Sequence, residues 1–540
     1  MYKFLQLGGL SLGLWIAQPA NASVAPPPTT EQASANLLQY GPIEKLTLFE
    51  LVDGIDDGGF NSEAITMAYL ARIAAIDDSG PVLNAVIATF PDALDQARAM
   101  DAEIKAGKYR GYMHGIPVLI KDNIEAAGDI ATTAGSLALR DNFTQRDAGL
   151  VSRLRAAGAV ILGKTNLSEW ANIRSDNSTS GWSAVGGLTK NPHALDRNTC
   201  GSSAGSGAAM AAGLAAATVG TETDGSIVCP SSVNGIVGFK PTVGMVSRSH
   251  IVPISHTQDT PGPMTATVFD AAIMLTAMAG SDPADTATVL ADTYRTDFAV
   301  GVSSASLQDV RIGVLRDQTG DDPALNALFD TAIAQMKAGG AIIVDIADSQ
   351  SGLEGLGDQE GELLFGELKY DIAAYLASLP AGLVPHKNLA DLIAFNIDNA
   401  ATELQYFDQG GFERAQASKK SQAELAKLAA LTTSRAGGKI DGLLKLYNVE
   451  ALVQPTSGPA WLSTLGKGDK FGGPSASGLA AVSGYPHLTV PMGAVGGLPV
   501  GISFTGTKWA DHRLLQIGSA YEHVSKARVT PQYPQSADPQ

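Results

Sequence analysis

The chain has 540 residues, of which 45% are hydrophobic, and its 37 basic and 54 acidic side chains give a formal net charge of −17 at pH 7. This apolar content is enough for a substantial buried core. Phosphate recognition depends on clustered Lys and Arg, so the acidic balance and the lack of a basic stripe in the sequence argue against a general nucleic-acid-binding protein.

The first 22 residues have the three parts of an export signal. Met1 to Lys3 supply one positive charge, residues 4–17 are apolar, and Ala20-Asn21-Ala22 offers the small residues that a signal peptidase requires. A membrane anchor is the alternative, but the apolar run is short and contains three glycines. We therefore expect a signal peptide over residues 1–22, cleaved after Ala22. The mature protein is expected in the periplasm or the medium, without stable membrane association, as a monomer or homodimer.

A flexible leader rich in Pro, Thr and Gln is expected over residues 23–42. From Thr47 to Lys108 the pattern is helical, with Ser62 as a cap and Ile65 and Tyr69 about one turn apart. Strand-like apolar runs follow, alternating with helical segments, at 116–120, 159–162, 312–315, 341–344, 451–453, 487–490 and 500–504. This alternation predicts an α/β layered sheet with helices on both faces.

Predicted strands near both ends of the chain follow the same alternating pattern, which favours a single large domain over residues 43–527. Residues 350–440 are rich in Ala, Leu and acidic residues, and we interpret them as helices that cover the sheet or the mouth of an active site. No residue in this segment indicates a specific role. Residues 528–540 are expected to be a disordered tail.

Three side chains are the strongest candidates for chemistry. Lys121 ends the apolar run that begins at Ile116, and a lysine buried there loses charge readily because burial disfavours the ammonium form. Ser202 and Ser226 lie in the glycine-supported segments GSSAG (201–205) and GTETDGS (220–226). A helix predicted over residues 208–217 would point its positive end at the first segment. Gly225 permits a sharp turn just before Ser226.

Several other motifs are weaker. The segment GAVILGKT (158–165) matches a phosphate loop in letters, but its middle residues form a strand rather than a flexible turn. Ser203 at the centre of GSSAG could be the nucleophile of an α/β-hydrolase esterase, with His487 or His512 as base, but the segment before Gly201 is polar and loop-like. A dinucleotide site fails because Met210 stands where the third glycine belongs. The histidines lack zinc-ligand spacing, so no metal and no cofactor are expected.

The order of the lysine and the two serines, together with further motifs, resembles the amidase signature family. The resemblance extends over most of the chain, and within the family it is strongest to bacterial peptide amidases. It rests on GKTNLSE (163–169), EWAN (169–172), GWSA (181–184), TETDGSIVCP (221–230), GFKPT (238–242), QDTPGPM (258–264) and LADLIAFN (389–396).

This resemblance implies a single α/β/α domain with a central mixed sheet and a Ser-cisSer-Lys triad. Ser226 would be the nucleophile, Ser202 the proton relay after a cis peptide bond, and Lys121 the base. The oxyanion hole would be formed by backbone N–H groups of Thr223, Asp224, Gly225 and Ser226, with Asp224 standing where many members have glycine. Ser203 and Asn172 would support the site or contact substrate.

The activity implied is hydrolysis of C-terminal carboxamides of peptides or amino-acid amides to the free acid and ammonia. Some members that act on acidic substrates carry an arginine just after the nucleophile, where this chain has Val228 and Cys229. A broad aryl or acyl amidase, a tRNA amidotransferase subunit and a non-catalytic binding module remain as alternatives. We interpret Cys200 and Cys229 as small buried residues that line a tight site rather than as a disulfide, although export makes a bridge possible.

Overall fold

The computed structural model describes residues 29–537, so the expected signal peptide of residues 1–22 lies outside the described residues. Its strands are β1 (Val86–Thr89), β2 (Pro117–Lys121), β3 (Val160–Thr165), β4 (Trp182–Ser183), β5 (Gly187–Leu188), β6 (Ala217–Glu222), β7 (Val237–Lys240), β8 (Thr260–Thr265), β9 (Arg311–Leu315), β10 (Ile342–Ile346), β11 (Ala451–Pro455), β12 (His487–Val495) and β13 (Leu498–Thr505).

Its helices are α1 (Thr30–Tyr40), α2 (Leu48–Asp56), α3 (Ser62–Arg72), α4 (Ala93–Lys105), α5 (Gly149–Ala156), α6 (Ala204–Ala211), α7 (Val228–Val233), α8 (Val268–Met278), α9 (Ala291–Tyr294), α10 (Pro323–Ala338), α11 (Leu356–Ser378), α12 (Leu389–Asp398), α13 (Ala400–Glu403), α14 (Gly410–Ala417), α15 (Gln422–Tyr447), α16 (Gly478–Ser483) and α17 (Asp511–Ser525). Between residues 29 and 537, no helix is both long and apolar enough to cross a bilayer.

One mixed sheet organises the molecule. Within residues 29–537 it has eleven strands in the order β1-β3-β2-β6-β8-β7-β12-β13-β11-β9-β10, and β4 and β5 form a separate hairpin. Every residue of β2, β3 and β6 is buried, as expected for strands covered by helices on both faces. The protein is thus a single α/β/α layered domain with a central mixed sheet, as the sequence predicts.

The parallel neighbours β2 and β6 position the candidate base. Val118 lies opposite Ala217 and Ile120 opposite Val219, so the carboxyl ends of the two strands lie side by side. Lys121 is the last residue of β2, and Thr221 and Glu222 end β6. Ligands of open α/β sheets commonly bind outside the carboxyl ends of strands, and this edge of the sheet carries the candidate site.

The predicted strands at 116–120, 159–162 and elsewhere are present, but other boundaries differ. The helix expected over residues 208–217 is α6, which begins and ends earlier, and Ala217 instead begins β6. Strands β1, β6, β7 and β8 were not predicted. The helical segment from 47 to 108 contains β1 between α3 and α4, and its cap is Asn61, whose side chain accepts the Ala64 N–H, rather than Ser62.

Both expected flexible ends contain ordered residues. Part of the leader forms α1, which begins with a capping box between Thr29 and Gln32. At the other end, the Tyr533 N–H donates to the Pro192 carbonyl at 3.0 Å and the Leu195 N–H donates to the Pro534 carbonyl at 2.9 Å. Tyr533 and Pro534 of the tail are therefore fixed against the domain, where disorder was expected. These backbone hydrogen bonds are the physical reason.

Candidate active site

Lys121 lies at the end of β2 with its side chain fully buried. Its Nζ is 2.7 Å from the Ser202 Oγ, 2.9 Å from the Thr221 Oγ1 and 3.2 Å from the Thr221 carbonyl oxygen. Burial lowers the pKa of Lys121 to about 7, although the negative charges of Asp259 and Glu222 partly oppose this shift. The structure thus provides a lysine that is largely neutral just above neutral pH, in contact with a serine hydroxyl.

Ser202 and Ser203 form the turn that leads into α6. The Gly201–Ser202 peptide bond is cis, and Ser202 is 1% exposed. The Ser203 hydroxyl is fully buried, donates to the Thr221 carbonyl at 3.1 Å and accepts the Thr221 N–H at 3.2 Å. Ser203 therefore braces the residue that also holds Lys121. A loop, not a strand, precedes Gly201, which removes the main requirement of a nucleophile elbow at Ser203.

Ser226 lies on the turn between β6 and α7. Gly225 before it has φ +78°, a left-handed conformation that favours glycine. The Glu222 carboxylate accepts the N–H groups of Ile227 and Val228 at 2.7 and 3.0 Å and so fixes the far side of the turn. Within the described chain, no acceptor takes a hydrogen bond from the N–H groups of residues 223–226, which leaves four donors beside the Ser226 hydroxyl.

The two serine segments meet directly, because the Ser203 N–H donates to the Ser226 carbonyl at 3.2 Å. Ser226 also lines a cavity of about 240 Å³ together with Gly201, Thr223 and Asp224. The side chain of Asp224 is exposed at this cavity. The structure therefore brings the predicted lysine, both serines and the predicted oxyanion residues into one site.

Asn172 lines the same cavity. Its Nδ2 donates to the hydroxyls of Ser178 and Ser180 at 2.8 and 3.0 Å. Leu364, from α11, also contributes to the wall, so part of the segment 350–440 covers the site mouth as expected. The sequence had assigned no role to any residue of that segment.

A second cavity, of about 370 Å³, adjoins the first and shares Ala171, Thr223 and Ile254 with it. At its rim the His256 Nδ1 lies 2.9 Å from Asp371 and the Nε2 lies 3.3 Å from Glu367. These three are of metal-ligand type, but both ring nitrogens already face a carboxylate, an arrangement that ion pairing explains.

Arg174 and Arg248, the arginines that could supply a cation to a substrate carboxylate, are both bound to protein carboxylates. Arg248 is held by Asp285, with contacts of 2.6 and 2.8 Å to its carboxylate. Arg174 is fully buried, 3.2 Å from Glu169, and stacks over the Phe407 ring at 4.2 Å. Neither lines the cavity that contains Ser226.

Cys200 and Cys229 form a disulfide bond, so the interpretation of two separate buried cysteines is wrong. The Cα atoms are 6.0 Å apart, a distance within the range that a disulfide spans, and both side chains are buried. The sequence could not give this distance, because it depends on how the two serine turns pack.

Some functional residues lie inside quoted motifs but received no role from the sequence. Thr221 accepts hydrogen bonds from Lys121 and from the Asn123 Nδ2, and Glu222 fixes the Ser226 turn. Both are polar residues at the end of β6, and recognising that strand in the sequence would have indicated a role for them. The phosphate-loop match has no such role, because Val160–Thr165 is β3 and Lys164 is buried 3.6 Å from Asp122.

The amidase family model matches residues 64–515, which is most of the chain and includes every element of the site just described. The chain belongs to the amidase signature family. This amidase is 38% identical over 489 residues to a probable amidase from Arabidopsis thaliana, covering 88% of this chain and 90% of that one. It is therefore a hydrolase that acts on amide C–N bonds.

Solved structures agree with this assignment. The amidase superimposes on native peptide amidase from Stenotrophomonas maltophilia with a TM-score of 0.86 and 43% identity, covering 91% of this chain and 99% of that one. A structure of the peptide amidase PAM with the competitive inhibitor chymostatin gives a TM-score of 0.87 and 44% identity, with coverage of 91% and 100%.

Proposed function

We propose that the protein hydrolyses C-terminal carboxamides of peptides or amino-acid amides to the free acid and ammonia. The proposed triad is Ser226 as nucleophile, Ser202 as relay and Lys121 as base. The observation that carries this proposal is the 2.7 Å contact between a fully buried lysine amine and the Ser202 hydroxyl, beside a cavity lined by Ser226. The similarity of the chain to solved peptide amidases supports the substrate class.

In the acylation step, the Ser226 Oγ attacks the carbonyl carbon of the amide and passes its proton to the Ser202 Oγ. Ser202 passes its own proton to the neutral amine of Lys121, which becomes an ammonium. When the C–N bond breaks, the proton returns through Ser202 to the leaving nitrogen, and ammonia departs. An ester of Ser226 with the acyl group remains.

In the deacylation step, water attacks the ester and its proton follows the same path to Lys121. Collapse of the second tetrahedral intermediate releases the carboxylic acid and returns the proton to Ser226. The net reaction is amide plus water to acid plus ammonia. A lysine pKa near 7 suits both directions, because the amine must accept and return a proton at the working pH.

The free N–H groups of residues 223–226 are the proposed oxyanion hole. They lie on the turn that carries Ser226, so they can point at the oxygen that becomes negative when that serine attacks. Removal of one such donor from a preorganised site costs about 3 kcal/mol of transition-state stabilisation. Asn172, with its amide at the cavity wall, is the proposed contact for the substrate.

A neutral carboxamide is preferred over an acidic substrate for an electrostatic reason. Val228 and Cys229 stand where a cation would pair with a substrate carboxylate, and Arg174 and Arg248 are held by other carboxylates. An acidic substrate would lose water without gaining a partner, at a cost of several kcal/mol. We expect malonamate-like acids to react poorly.

The test uses one peptide sequence in several forms. One form has a C-terminal carboxamide and one has a C-terminal aryl anilide. Forms with a free C-terminal acid offer only internal peptide bonds for cleavage. Purified protein, without added subunits, is incubated with each, and products are identified by mass spectrometry with ammonia measured in parallel. We expect loss of the terminal amide nitrogen only. Faster anilide cleavage would favour the aryl amidase alternative, and no turnover without partners would favour an amidotransferase subunit or a binding module.

We further propose that the protein is exported and that its mature form begins near Ser23. The disulfide supports an oxidising compartment, since such bonds are rare where thiols are kept reduced. Sequencing of the N-terminus of protein from its native host tests this proposal. Protein that retains Met1 in a soluble cytoplasmic fraction would contradict it.

A further inference from the structure

The disulfide connects the two segments that carry the proposed nucleophile and relay. Cys200 lies two residues before Ser202, and Cys229 lies three residues after Ser226. Both cysteines are buried, packed with Val233 and Ala460. The bond therefore links the two turns within three residues of each proposed reacting serine.

Each half of the disulfide is tied to the backbone of its own turn. Cys200 has φ +53°, in the left-handed region that few residues other than glycine adopt, and its N–H donates to the Asn198 Oδ1 at 2.7 Å. The Cys229 N–H donates to the Gly225 carbonyl at 2.9 Å. A shift of either sulfur is thus transmitted to the residue before Ser202 or to the residue before Ser226.

The base and part of the cavity wall are held by other means. Lys121 is fixed by β2 and by its contacts with Thr221, none of which involves a cysteine. Neither cysteine lines the 240 Å³ cavity. Gly201 and Ser226 of the two turns do, but Asn172, Ile254 and Leu364 of its wall lie on other segments. Loss of the disulfide would therefore change the spacing of the two serines more than the base or the substrate-binding surface.

We propose that the Cys200–Cys229 disulfide is a positioning device for the Ser202–Ser226 pair, so that turnover requires the oxidised enzyme while substrate binding does not. This inference rests on the proposed function, in which the two hydroxyls exchange a proton. Proton transfer between them needs hydrogen-bond distance, and a displacement of about 1 Å can cost roughly 100-fold in rate.

The test exploits the fact that the chain has only two cysteines, so a reductant acts on this bond alone. Dithiothreitol supplies two electrons and two protons, which convert the disulfide to two thiols, and is itself oxidised to its cyclic disulfide. Oxidised glutathione reverses the change, since the two thiols give up two protons and two electrons and two glutathione thiols form. The thiol count of each state is verified by mass spectrometry.

We expect reduction to lower kcat at least tenfold and to change KM less than threefold, with circular dichroism unchanged and full recovery on reoxidation. The double variant Cys200→Ser/Cys229→Ser should match the reduced enzyme and should not respond to dithiothreitol. The acidic limb of the kcat/KM pH profile should stay in place, because Lys121 is not displaced. If the double variant does not fold, the reduced wild-type enzyme alone decides the matter.

Three outcomes would overturn the inference. The first is an unchanged kcat in the reduced enzyme, and the second is a rise in KM as large as the fall in kcat. The third is loss of folded structure on reduction, which would make the disulfide a stabilising link instead. Labelling with a fluorophosphonate separates this failure from failure of the proposed function. Label on Ser226 with kcat indifferent to reduction refutes only the positioning role. Label on another residue refutes the proposed nucleophile itself.

Discussion

The pH dependence of amide hydrolysis is the sharpest test of Lys121. Burial lowers its pKa from 10.5 to about 7. At pH 7 about half of the molecules then carry the neutral amine, whereas an unshifted lysine would be neutral in only roughly 0.03%. We expect kcat/KM to rise about tenfold per pH unit below 7 and to level off above about pH 8, because only the neutral amine can accept the proton.

The assay measures ammonia release from a peptide amide between pH 5 and 9. Lys121→Met should reduce the rate by orders of magnitude, and its residual activity on an activated anilide should lack the acidic limb. His256→Gln is the control, because the Asp371 hydrogen bond raises the pKa of His256 above its usual value while the ring lies at the rim of the other cavity. A limb that survives in Lys121→Met, or disappears in His256→Gln, would refute the assignment.

The same shift affects stability with a defined sign. The folded-state pKa of Lys121 lies below the unfolded value, so the folded state binds fewer protons between about pH 10.5 and 7. Stability contributed by this residue is therefore lost as pH falls through that window, up to about 5 kcal/mol. Lys121→Met should stabilise the protein more at pH 6 than at pH 10 in denaturant unfolding, and an equal effect at both would contradict the buried, depressed lysine.

Ser226→Ala should lower turnover at least about 10⁴-fold, whereas Ser203→Ala should cost about tenfold through the lost Thr221 contacts, and a fluorophosphonate adduct on Ser203 would reverse the assignment. Gly225→Ala should destabilise the turn by about 1–2 kcal/mol and reduce kcat, because alanine would have to adopt φ +78° and its Cβ would lie 3.1 Å from the Ser477 Oγ. An unaffected kcat would argue against an oxyanion hole there. Arg174→Met should cost about 3–5 kcal/mol in denaturant unfolding by leaving buried carboxylates unpaired, compared with less than about 1 kcal/mol for the exposed pair of Arg414→Gln.

The sequence predicted the position of Lys121 at the end of a buried strand because the signal for that position is local. The continuous apolar run before Lys121 indicates a strand buried on both faces, and the structure has β2 there. The glycines around Ser202 and Ser226 are equally local signals of turns. Residues whose positions depend on the local backbone, such as a strand end or a glycine turn, can therefore be found from sequence alone.

Features that depend on packing could not be predicted in the same way. Strands β6, β7 and β8 are each interrupted by Gly, and β8 also contains two Pro, so their composition does not indicate strands, although neighbours on both sides stabilise them. Thr221 acquires its role only because β6 lies beside β2. The disulfide likewise depends on two turns that meet in space.

The strand order has a consequence for how the protein is made. Strands β1, β3, β2, β6, β8 and β7 adjoin one another and contain or precede every proposed catalytic residue, but the next neighbour of β7 is β12, far along the chain. During synthesis at roughly 5–20 residues per second, about 12–50 s pass between emergence of Lys240 and of His487.

Throughout that interval β7 presents an unpaired edge, and such edges recruit other chains. We therefore expect nascent chains that stall before His487 to aggregate, and a holding chaperone to raise the yield of active enzyme. The half of the sheet that contains the proposed catalytic residues thus has an edge strand, β7, whose neighbour β12 is synthesised much later.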